Sequence, residues 1–120
     1  VGFWEVGMAV RSCVVGRAEV ASRIPGPEGE HYAMGLERGT LSAKLALGRS
    51  APRPNRQTPH AQDELYAVVR GRGVLFHDGR RDAFEAGDLL FVGAGVPRHF
   101  EEFSEDLEVW VIFYGPQGGE

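Results

Sequence analysis

Apolar and polar side chains alternate at a period of two along most of this chain, and glycine or proline repeatedly breaks the alternation. Leu41–Leu47 sets Leu41, Ala43, Leu45 and Leu47 on one face and Ser42, Lys44 and Ala46 on the other. Glu64–Val69 sets Glu64, Tyr66 and Val68 against Leu65, Ala67 and Val69, with Gly71 and Gly73 marking the bend that follows. Val74–His77 and Arg81–Phe84 flank Asp78-Gly79, whose positive φ suits a tight hairpin, within a four-residue connection. Leu89–Val92 is a continuous apolar run, which predicts a strand buried on both faces, and Leu107–Tyr114 predicts a long strand after the acidic turn Glu101–Asp106. Val14–Ala21 reads as an edge strand, set apart by the proline- and glycine-rich loop Ile24–His31. Ser50–Pro59 is a loop with three prolines, and its Arg53 and Arg56 suggest a cationic pocket rim. Hardly any window sustains helical spacing for three turns, and no repeat appears. The expectation is an all-β chain whose antiparallel double sheet closes into a jelly-roll-like barrel.

Length adds one domain to this picture, since 120 residues bury one core and not two. Residues 1–39 are expected to form an N-terminal edge strand and loop of that domain, 40–114 the barrel core and 115–120 a tail. With 13 Lys+Arg against 17 Asp+Glu and no basic run interleaved with aromatics, nucleic acid is not an expected partner. Arginine supplies nearly all the cations, a bias in keeping with a GC-rich genome. Cys13 is the single cysteine, which forbids an internal disulfide or a CxxC metal knuckle and fits a reducing compartment; it reads as apolar filler beside Val14 and Val15. Val1–Val15 is interrupted by Glu5 and Arg11 and is too short to cross a bilayer. A cytoplasmic protein without a membrane partner is expected.

Two segments carry the candidate chemistry, Gln57–Gly73 (QTPHAQDELYAVVRGRG) and Gly87–Phe100 (GDLLFVGAGVPRHF). Their order and spacing resemble the paired motifs of the cupin superfamily. His60, Glu64 and Gly71 hold the first motif's spacing, with Thr58 where its first histidine stands. Gly87 and Gly95 hold the second, with Gly93 in place of proline, Arg98 at the histidine position and His99 one step later. The resemblance, over roughly residues 40–114, implies a cupin double-stranded β-helix that pairs as a homodimer through edge strands. It also places Thr58, His60, Glu64 and Tyr66 inside the barrel, because they share parity. In metal-dependent cupins three imidazoles and a carboxylate hold one divalent ion (Fe, Mn, Ni, Cu or Zn). Two of those positions are changed here, and the fixed charge of Arg98 opposes a cation.

The expected activity is therefore metal-free acid–base chemistry: an isomerase, lyase or cyclase acting on a small metabolite of a specialised pathway. His60 would carry the proton, Glu64 would orient it or act as base, Arg98 would stabilise an anion, and Tyr66 and Lys44 would assist. Arg98 is also expected to lower the pKa of Glu64 and keep it ionised. Thr58, Gln57, Gln62 and Phe100 are candidate substrate contacts. A second reading is a metal-dependent oxygenase or isomerase, with a β-bulge near Gly93–Pro97 turning His99 inward to join His60 and Glu64 as ligands, and Gln57 or Gln62 completing the set. A third is a non-catalytic small-ligand-binding cupin, with Glu64–Arg98 a structural ion pair. His31 and His77 read as surface histidines, and Trp4, Trp110, Phe76, Phe84, Phe91, Phe103 and Phe113 as core or interface. The short glycine pairs do not open a helix and so are not a dinucleotide fingerprint, and no nucleophile elbow is present.

Overall fold

The computed structural model describes residues 11–48 and 61–120, so Thr58, His60, Gln57 and the Ser50–Pro59 loop lie outside the described residues. Eight strands are described: β1 (Tyr32–Arg38), β2 (Leu41–Leu47), β3 (Asp63–Arg70), β4 (Arg72–His77), β5 (Arg80–Glu85), β6 (Leu89–Val92), β7 (Arg98–Glu101) and β8 (Glu108–Tyr114). One short helix, α1 (Arg17–Ala21), precedes them. The strands form a five-stranded sheet in the order β1-β2-β8-β3-β6 and a three-stranded sheet in the order β5-β4-β7, with all pairings antiparallel.

The alternation read from the sequence sorts the side chains onto two faces. Glu64 pairs with Phe113 and Val92, and Tyr66 with Val111 and Leu90, so these groups share the inner face of the large sheet. On the small sheet Leu75 pairs with Phe100 and His77 with Arg98. The two inner faces meet in a core of Tyr66, Val68, Leu75, Phe84, Val92, Phe100, Leu107, Val109 and Val111. Interdigitation of these branched and aromatic side chains fills the sandwich. A second, smaller cluster of Val20, Ala33 and Leu45 lies on the outer face of the large sheet, where α1 and Trp110 cover it.

Four expectations are corrected. Val14–Ala21 is not an edge strand, because Arg17–Ala21 is helical and packs Val20 onto the sheet. A five-residue helix spans barely more than one turn, too little for its period to show. Tyr32–Arg38 is a strand where none was read, paired along β2 with a register shift between Met34 and Leu36. The hairpin connection is two residues, not four: Asp78 (φ 50°) and Gly79 (φ 76°) both take the positive φ of a type I′ turn and bring His77 opposite Arg80. β6 is buried on one face only, with Leu89 at 67% and Phe91 at 54% exposure on its outer side.

Candidate functional site

At one end of the barrel interior, side chains from both sheets converge. Glu64 on β3 and Arg98 on β7 form an ion pair across the gap, with side chains only 3% and 1% exposed. The bond runs from an Arg98 terminal nitrogen, Nη2, to Glu64 Oε1. The Tyr66 hydroxyl donates to Glu64 and accepts from the Arg98 guanidinium, which closes a three-membered network. Tyr66 is itself held edge-on to Phe100, with ring centroids 4.9 Å apart. Lys44 on β2 faces the same interior, with Nζ 4.4 Å from the centroid of the Tyr32 ring, and its charge is felt by Glu64.

Burial dominates the electrostatics. It pushes the Glu64 carboxyl above its ordinary pKa, with Arg98, the Tyr66 hydrogen bond and Lys44 opposing. This corrects the expectation that Arg98 would lower it: the cost of removing the carboxylate from water exceeds the gain from its neighbour. Burial, reinforced by Glu64, pushes the Tyr66 phenol far up, so Tyr66 keeps its proton. Burial holds the Lys44 amine below its ordinary value, with Glu64 opposing and Arg98 adding to the depression. The His31 imidazole is lowered by burial and then by Lys44.

The structure thus brings together Lys44, Glu64, Tyr66, Arg98 and Phe100 of the groups read from the sequence. It places the others differently. His99 does not face the interior: it stacks on Phe76 at 5.0 Å and bonds Glu101 at 2.8 Å on the outer side of the small sheet. No bulge reverses the parity after Gly93–Pro97, so Arg98 takes the inward position, and the His99 ligand reading is corrected. Glu101 accepts from His99 and Arg81 there, and both bonds hold its carboxyl below the usual range. Gln62 donates its amide hydrogens to the carbonyls of Thr40 and Gly115, at 2.8 and 3.0 Å, and serves as a strand tie and not as a ligand. His77 is not the surface residue expected: its side chain is only 13% exposed, shares the inner parity of Arg98 and bonds Asp82 at 2.7 Å. The signal that could have found it is its two-residue step from Leu75, which the adjoining Asp78-Gly79 turn obscured.

The family model of the cupin domain matches residues 44–113. The chain belongs to the cupin family. An uncharacterised protein of Streptomyces coelicolor is 43% identical over 61 residues, 51% of this chain, and the match spans 58% of that protein's length. Among solved structures, a putative mannose-6-phosphate isomerase of Ralstonia eutropha is similar with a TM-score of 0.61 and 22% identity, covering 76% of this chain and 89% of that one. The DMSP lyase DddQ of Ruegeria pomeroyi gives 0.60 and 18%, covering 70% and 46%. A single-residue variant of Streptomyces PAC13 with uridine gives 0.58 and 16%, covering 76% and 73%. At these identities the likeness shows the fold alone.

Cupins often bind a divalent metal, and the donor set of this cupin bears on whether one fits. Among the described residues no group of three His, Cys, Asp or Glu side chains is arranged to hold a cation. The Glu64 carboxylate is engaged by the Arg98 guanidinium, a fixed positive charge that opposes a cation beside it. The described residues do not fit a metal.

Proposed function

We propose that this cupin is a small-molecule enzyme that works by metal-free acid–base chemistry, as an isomerase, lyase or cyclase. The observation that carries the reading is the buried Glu64–Tyr66–Arg98 network, in which a carboxylate, a protonated phenol and a fixed cation face the barrel interior. Such a set can accept a proton at Glu64, donate a hydrogen bond from Tyr66 and stabilise an enolate or carboxylate through the planar fork of Arg98. Burial raises the Glu64 pKa above its ordinary value, which makes the carboxylate a stronger proton acceptor than an exposed one. A lyase and a putative isomerase among the structural relatives are compatible with this reading. His60, which the sequence motif singles out, remains part of the proposal as the proton carrier, and a homodimer of cytoplasmic chains completes it.

The test starts from protein purified without a metal-affinity tag. Its metal content is measured by elemental mass spectrometry beside Arg98→His, and its activity is followed by proton NMR in a metabolite extract made up in D2O. Enzyme-dependent loss or deuteration of a metabolite, unaffected by chelator and abolished in Glu64→Gln and Tyr66→Phe, supports the reading. Stoichiometric metal in the wild type, with turnover lost on chelation, would sink it.

A further inference from the structure

Of the 13 cationic Lys and Arg side chains in this sequence, Lys44 is the one lysine. It is not on the outer surface, where a lysine most often serves as a solvated charge. It occupies the inner face of β2, between Met34 of β1 and Val111 of β8, at the polar end of the barrel. The charged and titratable described groups that bear on it are Glu64 on β3 of the same sheet, Arg98 on β7 of the facing sheet and His31 from the segment before β1, with the Tyr32 ring against the amine.

We infer that Lys44 is a nucleophilic amine that captures a small aldehyde or ketone as an imine inside the barrel. This deepens the acid–base reading, on which it rests for its proton-transfer groups, by naming carbonyl compounds as the substrate class. Arginine could supply a cation at this position equally well, and the chain uses arginine at every other cationic site. A guanidinium, however, is never deprotonated in proteins and cannot attack a carbonyl, whereas an amine can. A chain that spends its single lysine on the interior of its barrel is placing reactivity there, not charge.

The surroundings suit that reaction. Burial and the Arg98 charge enlarge the unprotonated fraction of the amine, and only that form carries the attacking lone pair. As the N–C bond forms, the carbonyl π pair moves to oxygen, which takes up a proton. Nitrogen then gives up its two protons in turn as the hydroxyl leaves with a proton as water. The products are one imine and one water, and no oxidant or reductant is consumed. Glu64 accepts protons in this sequence and the protonated Tyr66 steadies the oxygen by a hydrogen bond. An imine withdraws electrons from the neighbouring carbon, so the same Glu64 can then remove a proton there, the step that isomerases and lyases share.

Trapping reads the imine directly. The wild type is incubated at pH 6.5 with pyruvate, and separately with acetaldehyde, in the presence of cyanoborohydride, which reduces the imine to a stable secondary amine. Intact mass and peptide mapping locate the adduct, and the single lysine leaves only the chain's α-amine to be distinguished from it. The expected result is labelling of Lys44 by at least one probe, faster than that of Nα-acetyl-lysine, because only the unprotonated amine attacks. Tyr66→Phe should slow labelling, and Lys44→Arg should abolish it at this position. Labelling of Lys44 by neither probe, or no faster than the free amino acid, overturns the inference. Labelling without any metabolite turnover would keep the amine and remove the acid–base reading; turnover that survives Lys44→Arg unchanged would do the reverse.

Discussion

Removal of Arg98 alone should be among the most damaging single changes in this protein. Arg98→Met keeps an unbranched apolar stem and deletes the charge, leaving the Glu64 side chain 3% exposed with its main cation gone. Breaking a buried pair from one side typically costs about 3–5 kcal/mol, because the remaining charge keeps its desolvation penalty. With an unfolding entropy of about 2.1 cal/mol/K per residue, a chain of 120 residues loses roughly 4 °C in Tm per kcal/mol, so the midpoint should fall by about 12–20 °C. Glu64→Leu with Arg98→Met removes both charges and should return to within about 1 kcal/mol of the wild type, or exceed it. The pH dependence follows from the sign of the Glu64 shift. Its folded pKa lies above the ordinary 4.5, so the folded state prefers the protonated form, and stability falls as pH rises through the folded pKa. Without Arg98 the shift grows. The Arg98→Met deficit should therefore be smallest below pH 4.5 and largest above the new folded pKa. Urea melts at pH 4, 6 and 8 measure this. A single-variant cost under about 1 kcal/mol at pH 8, or a double variant no better than the single, would refute the reasoning.

Lys44→Met should stabilise the fold at neutral pH: the folded pKa lies below 10.5, so charging the amine disfavours folding, and the gain should fade as pH approaches 10.5, as urea melts across pH 7–10.5 would show. Arg17→Ala should cost about 1–3 kcal/mol in chemical denaturation, since the Glu108 side chain is 4% exposed, loses a 2.6 Å bond and among the described residues keeps Arg70 at 3.8 Å. Gly71→Ala should cost at least about 1–3 kcal/mol, because φ is +89° and the new Cβ would lie 2.7 Å from Leu107 Cα; a melting shift near zero would contradict this. His99→Ala should lower stability by about 1 kcal/mol or less and leave Lys44 trapping unchanged, as expected of an outward cross-strand residue.

Much of the site was legible because strand parity is a strict rule. Once Glu64 is placed inside, Tyr66 has to follow by alternation, whereas the faces of Lys44 and Arg98 stay open in the sequence and are set by the register of their own strands. What parity could not give was the balance of energies. The direction of the Glu64 shift depends on how deeply the sheets bury it, which is a property of packing and not of neighbours in sequence. The continuous run Leu89–Val92 concealed its exposed side because an apolar residue is tolerated on either face. β1 escaped notice because Gly35 and the polar end Glu37-Arg38 dilute its pattern. There Trp110 and Val15 crowd the space a side chain at Gly35 would need, a contact made only in three dimensions.

The Glu64–Arg98 bond joins β3 to β7, and among the described ion pairs it is the one that crosses from one sheet to the other. It is thus a rivet through the seam of the barrel as well as a chemical group. A bound molecule that draws the guanidinium to itself loosens the seam at the moment of occupancy, and one that leaves the pair intact does not. Amide exchange at Glu64 and Arg98 would quicken together in the first case and stay slow in the second. Occupancy and breathing of the barrel become a single coordinate, written in one charge pair.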